Sequence, residues 1–196
     1  MDKSSLFELY HGKGMSMAEI AHRYSYSVHK VDYWMRTHGI PRRTRSEALY
    51  VKNNGLADPF FIKPIRNAEL SILYGMGIGL YWGEGNKRNL NAVRLGNTDP
   101  GIIKTFVSFL IKICSVSPGK IRYGLQVFSD IAEDVAVSYW LRELQIGREQ
   151  IMPTVSYIKS GKIGTYKRKN QYGVMTVYVY NTKLRNWMVD QLVTPR

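Results

Sequence analysis

Residues 70–85 read Leu-Ser-Ile-Leu-Tyr-Gly-Met-Gly-Ile-Gly-Leu-Tyr-Trp-Gly-Glu-Gly. The length and apolar content of the stretch predict a helix, yet Gly75, Gly77, Gly79 and Gly83 lie inside it ahead of Gly85. Each glycine costs a helix about 1 kcal/mol relative to alanine, so something must offset the loss of several. Gly75, Gly79 and Gly83 recur every fourth residue and share one face. A face of glycines lets a second backbone approach unusually closely, as in small-xxx-small helix pairs. Gly85 suits the left-handed position just past a helix end. Glu84 does not suit its place, because a carboxylate there opposes the negative pole of the helix dipole. A metal ion at that end reverses the sign of the argument.

Downstream the elements alternate. A strand is expected over about 90–96, then a helix capped by Asp99 with Pro100 at its first position. That helix offers Ile102, Ile103, Phe106, Val107, Leu110 and Ile113 to a core. A strand over about 119–128 alternates Ile121, Tyr123, Leu125 and Val127 with Lys120, Arg122 and Gln126. A helix at about 131–144 turns Val135, Tyr139, Trp140 and Leu144 inward. Two further strands lie near 153–159 and 171–181, and a last helix near 182–193. In the final strand Met175, Val177 and Val179 oppose Thr176, Tyr178 and Tyr180. The fold class is α+β, a mixed α/β domain with four strands.

Gly77-Ile78-Gly79-Leu80-Tyr81-Trp82-Gly83-Glu84-Gly85 resembles the signature of the LAGLIDADG homing endonucleases. The match keeps Gly79, Leu80, Gly83, the acid as Glu84, and Gly85, and departs at Trp82, where the family has its first aspartate. Val93-Arg94-Leu95-Gly96-Asn97-Thr98-Asp99-Pro100 resembles the family's strand, Asn-Ser/Thr-Asp-Pro turn and following helix. The resemblance covers 67–193. It implies a curved, saddle-like sheet over a DNA major groove and a motif helix packed on its twin through Gly75, Gly79 and Gly83. It also implies that Glu84 binds the catalytic metal, and that a lysine and a polar residue beside the metal assist the water. Gln126 and Lys169 are the candidates by position.

Upstream, residues 5–40 resemble a helix-turn-helix of the resolvase-like and sigma-like kind. Leu6, Leu9 and Tyr10 belong to a first short helix broken by Gly12 and Gly14. Ser16-Met17-Ala18-Glu19 is a capping box that opens a second helix running to about Tyr24. Ser27 caps a third, Val28 to about Thr37, with Val31, Trp34 and Met35 buried and Gly39 ending it. The third helix of such a unit enters the major groove, which assigns His29, Lys30, Tyr33 and Arg36 to DNA. Arg42, Arg43 and Arg45 follow within four positions and suit phosphate or minor-groove contact. Residues 1–50 thus form a small all-α DNA-binding unit, 51–66 a linker with Asn53, Asn54, Gly55, Pro59 and Pro64, and 67–196 the larger domain.

With 28 Lys+Arg against 15 Asp+Glu, the 196-residue chain carries a net charge of +13. That balance favours a polyanion, most simply double-stranded DNA. Arg94, Lys120, Arg122, Tyr178 and Tyr180 on the strands add contacts, as do Lys162, Lys167 and Arg168 in the acid-free stretch 159–169. No apolar run reaches the roughly 18 residues of a membrane span, no secretory signal opens the chain, and one cysteine excludes a disulfide framework. Cys114 reads as a small buried hydrophobe, and the expected location is cytoplasmic and nucleoid-associated, not secreted.

Phosphodiester hydrolysis needs a divalent cation, and hard oxygen ligands suit Mg2+ or Mn2+. One carboxylate per site is too few and the chain has a single glycine helix. The implied enzyme is therefore a two-fold homodimer cutting both strands of a near-palindromic site. The alternatives are a DNA-binding transcriptional regulator on a catalytically inactive fold, which Trp82 keeps open, and a maturase-like RNA binder. Charge alone predicts that duplex affinity falls with salt on a log–log slope of about −4 or steeper. A titration between 50 and 200 mM salt checks it, and a flat response excludes phosphate neutralisation.

Overall fold

The computed structural model describes residues 1–158 and 171–192. The chain divides into two compact units, Met1–Pro59 and Phe60–Arg196.

The smaller unit is all helical. Helix α1 (Lys3–Phe7) continues as a π turn, Glu8–Gly12. Helix α2 (Met17–Arg23) opens on the Ser16/Glu19 capping box, and α3 (Val28–Thr37) on the Ser27 hydroxyl. Between them the chain reverses through Ser25, a non-glycine residue at φ +56°. Leu6, Leu9, Tyr10, Ile20, Ala21, Val31, Met35 and Ile40 form the core, with Trp34 only partly buried at its margin. A further helix, α4 (Arg45–Asn54), runs across the expected boundary between the DNA-binding unit, 1–50, and the linker, 51–66. Its N-terminus is a second capping box: the Thr44 hydroxyl accepts the Glu47 N–H, and the Glu47 carboxylate accepts the Thr44 N–H. The rest of 51–66 is partly pinned, since the Phe61 and Lys63 N–H groups donate to the carbonyls of Cys114 and Ile113.

In the larger unit α5 (Ala68–Glu84) is the glycine helix. It is followed by β1 (Val93–Asn97), α6 (Pro100–Lys112), β2 (Ile121–Phe128), α7 (Glu133–Leu144), β3 (Ser156–Ile158), β4 (Val174–Val179) and α8 (Thr182–Asp190). The four-stranded sheet has the order β1-β4-β2-β3. Strand β4 lies antiparallel between β1 and β2, and β3 joins β2 in parallel. Asp99 caps α6 with Pro100 at N1. Strand alternation places Ile121, Tyr123, Leu125, Val127, Met175, Val177 and Val179 on the buried face. On α7 the buried residues are Ala136, Val137 and Trp140; of the residues expected inward, Trp140 is buried, Tyr139 and Leu144 are half-buried against the core, and Val135 is exposed. Cys114 is buried, and burial pushes its thiol up to about 12, so it behaves as an apolar side chain.

Two glycines of the motif differ from expectation in their reason. Gly85 has φ −72° and is extended, not left-handed. A Cβ there would lie 2.3 Å from the Tyr81 ring and 2.4 Å from the Tyr81 carbonyl, so the constraint is close approach. Gly77 is the glycine that packs within the chain: its Cβ would lie 2.2 Å from the Phe109 ring of α6. At Gly75, Gly79 and Gly83 a Cβ would meet nothing within 4 Å. Gly77→Ala should therefore destabilise the larger unit by about 1–3 kcal/mol through overpacking, while Gly79→Ala in the monomer should gain up to about 1 kcal/mol of helix propensity. Urea melts of both variants check the opposite signs.

Candidate nucleic-acid interface and metal position

The buried face of the sheet packs against α5, α6, α7 and α8; among the described residues no helix covers the other face. On the bare face Arg94, Tyr178 and Arg122 stand in one row across β1, β4 and β2. The Arg94 guanidinium lies 4.9 Å from the Tyr178 ring centroid, and its Nε is buried without a hydrogen-bond partner. Tyr178 and Tyr180 rings are near parallel at 6.0 Å. Gly124 makes room for this arrangement, since a Cβ there would meet the Tyr178 ring at 2.8 Å. Arg122 is held by the Gly119 carbonyl at 2.7 Å, and Lys120 is exposed in the turn before β2. Gln126 is exposed on the same face, next to Ser156 of β3. Lys162, Lys167, Arg168 and Lys169 lie outside the described residues.

Glu84 is exposed on the last turn of α5, and no hydrogen bond or ion pair engages it among the described residues. Gly85 bridges Leu95 on the outer edge of β1, which fixes where the helix ends. Gln126 is not brought to Glu84 within one chain: β1 and β2 are separated by β4, about 10 Å at the usual strand spacing. No group of three or more His, Cys, Asp or Glu side chains that could hold a metal occurs among the described residues. Along α5 the solvent side is apolar, with Ile72 63%, Met76 49% and Trp82 55% exposed beside Gly75, Gly79 and Gly83.

In the smaller unit His29, Lys30, Tyr33 and Arg36 lie together on the exposed side of α3. Lys30 Nζ is 4.6 Å from the Tyr26 ring and 5.2 Å from that of Trp34. Asp32, which sequence reading passed over, sits among the cations: Arg36 and Arg42 both pair with it. Hydrogen bonding from Arg36, with the charges of Arg36 and Arg42, holds its carboxyl below the usual range. Arg43 has a structural role instead. Its guanidinium donates to the Gly14 carbonyl at 3.0 Å and the Met15 carbonyl at 2.5 Å, and stacks 4.2 Å from the Tyr10 ring centroid. Arg45 is exposed at the start of α4. A groove of about 1020 Å³ within this unit is lined by Lys13, Arg42, Arg43, Arg45 and Lys52, and its one carboxylate, Glu19, is spent on the capping box.

No family model, curated protein or solved structure matches the chain. No helix among the described residues is long and apolar enough to cross a membrane. The two neighbouring arginines separate cleanly in experiment. Arg43→Ala should destabilise the smaller unit by about 1–3 kcal/mol by stranding two carbonyls, whereas Arg45→Ala should leave stability within about 0.5 kcal/mol. Denaturant midpoints of the two variants decide.

Proposed function

We propose that the protein is a site-specific double-stranded DNA endonuclease of the LAGLIDADG kind, active as a two-fold homodimer. The observation that carries the reading is helix α5. It is largely apolar yet leaves the Ile72-Gly75-Met76-Gly79-Gly83 side in solvent, and it ends in an acid that no described residue engages. A helix apolar all round belongs in an interior, and this one gains an interior when two copies pack glycine face to glycine face. The same packing brings two Glu84 carboxylates together. Their hard oxygens suit Mg2+ or Mn2+, and one subunit alone supplies too few. A cation there would stabilise transition-state charge and lower the pKa of a water.

The bare sheet face, with Arg94, Lys120, Arg122, Tyr178 and Tyr180, takes the duplex. The smaller unit acts as a helix-turn-helix reader, with α3 in the major groove and Arg42 and Arg45 on phosphates. A transcriptional regulator on the same fold is the second reading. Trp82, a large exposed aromatic where the motif has an acid, favours it.

The test compares the unmodified protein with Glu84→Gln on a duplex selected for binding, with Mg2+ or Mn2+. Affinity should be unchanged, because it rests on lysines and arginines elsewhere. Cutting should fall by about 10²-fold or more. Cutting by both places the metal elsewhere; tight binding without cutting by either leaves the regulator. Light scattering should give a dimer at micromolar concentration, and a monomer with and without DNA excludes a two-carboxylate centre.

A further inference from the structure

We propose that the loop Gly85–Ala92 is a preformed seat for the phosphodiester that is cut, and that Lys87 is the cation that contacts it. The inference rests on the endonuclease reading and gives that reaction a catalytic residue that its motif does not name.

A surface loop of sequence Asn86-Lys87-Arg88-Asn89-Leu90-Asn91 should be mobile. This one is tied along its length. The Asn86 N–H donates to the Arg94 carbonyl at 2.9 Å. Asn86 Oδ1 accepts the N–H groups of Arg88 at 3.0 Å and Asn89 at 3.1 Å. Asn89 Oδ1 accepts those of Asn91 and Ala92, both at 2.9 Å. Arg185 of α8 clamps the loop as well. It is 9% exposed, donates through Nε to the Asn89 carbonyl at 3.0 Å and through Nη2 to the Lys87 carbonyl. No carboxylate pairs with it among the described residues. A buried guanidinium held by neutral acceptors is expensive and leaves a net positive charge behind the loop.

Lys87 itself is aimed at the acid's turn. Its Nζ donates to the Trp82 carbonyl at 2.5 Å, on the last turn of α5, where Glu84 sits. Lys87 and Glu84 nevertheless form no ion pair with each other. The last turn of α5 thus carries a carboxylate, suited to a cation, and holds on its Trp82 carbonyl an ammonium, suited to an anion, with no ion pair between the two. A divalent cation and a phosphate bound together match that pairing.

In the reaction a water oxygen bonds to phosphorus and the bond from phosphorus to one ester oxygen breaks. The water's proton passes to solvent and the leaving alkoxide takes one from solvent. The Lys87 ammonium keeps its protons and hydrogen-bonds a non-bridging oxygen, where negative charge grows in the transition state.

Single-turnover cutting of the selected duplex with Mg2+, by the full chain, tests the assignment. Lys87→Met should cut about 100-fold more slowly, with affinity within about threefold and melting temperature within about 2 °C of the unmodified protein. Lys87→Arg, which restores the cation, should recover about tenfold of the loss. If Lys87→Met is poorly folded, Lys87→Gln takes its place under the same criteria. Cutting within threefold of the unmodified protein by a folded Lys87→Met or Lys87→Gln overturns the assignment and leaves the endonuclease reading standing. A loss of cutting matched by equal losses of affinity or melting temperature overturns it too, because a lysine that only caps α5 behaves that way. Tight binding without cutting by the unmodified protein overturns both.

Discussion

The larger unit depends on how closely α5 approaches α6. At Gly77 the missing Cβ leaves space that the Phe109 ring fills, and Phe106 continues the contact by stacking on Tyr81 at 6.2 Å and 4°. Residues two apart on a helix lie about 200° apart, so pressing Gly77 inward turns Gly75 and Gly79 outward. The rotation of the helix is settled by one steric contact, and its outer stripe follows from it. The same contact sets where the helix stops. Tyr81 lies buried beneath the backbone of Gly85, and Gly85 then bridges Leu95. Glu84 is held at the sheet edge as a consequence.

Much of this was legible wherever a side chain acts on its own neighbourhood. The Ser16/Glu19 box, the Ser27 cap, Asp99-Pro100 and the alternation of 121–127 and 175–179 are local signals, and each element formed where they placed it. The Thr44/Glu47 box is the same kind of local signal, but it lies among arginines whose charge suggests nucleic-acid contact rather than a helix start. Long-range causes were not legible. The four-residue spacing separates Gly77 from Gly75, Gly79 and Gly83, but nothing local says which face is pressed inward; a phenyl ring 32 positions away in the sequence decides that. The Arg185 clamp, nearly 100 positions from the loop it holds, is of the same kind.

Positive charge in this chain has two fates. Some cations are consumed by the fold: Arg43 by two carbonyls and a tyrosine face, Arg185 by the loop before β1. Others stay exposed, and Asp32 shows how they are kept in order. An exposed ion pair adds little stability, but a carboxylate shared by Arg36 and Arg42 fixes both against α3 while leaving them in solvent. The organised cations of the smaller unit therefore border the α3 surface, and those of the larger unit lie on the bare face of the sheet.

Stability alone says little about Glu84. An exposed carboxylate at a helix C-terminus costs only about 0.3–1 kcal/mol, which a chain of this size tolerates without reason. The weight comes from the conjunction with the apolar stripe. Exposing Ile72, Met76 and Trp82 beside three glycines costs solubility as well as helix propensity, and no contact among the described residues recovers either. In the proposed homodimer a second copy of the same stripe would recover both at once, and the same packing would end the acid's isolation. The proposed dimer thus accounts, by one contact, for a helix poorly made in a single chain and for the carboxylate at its end.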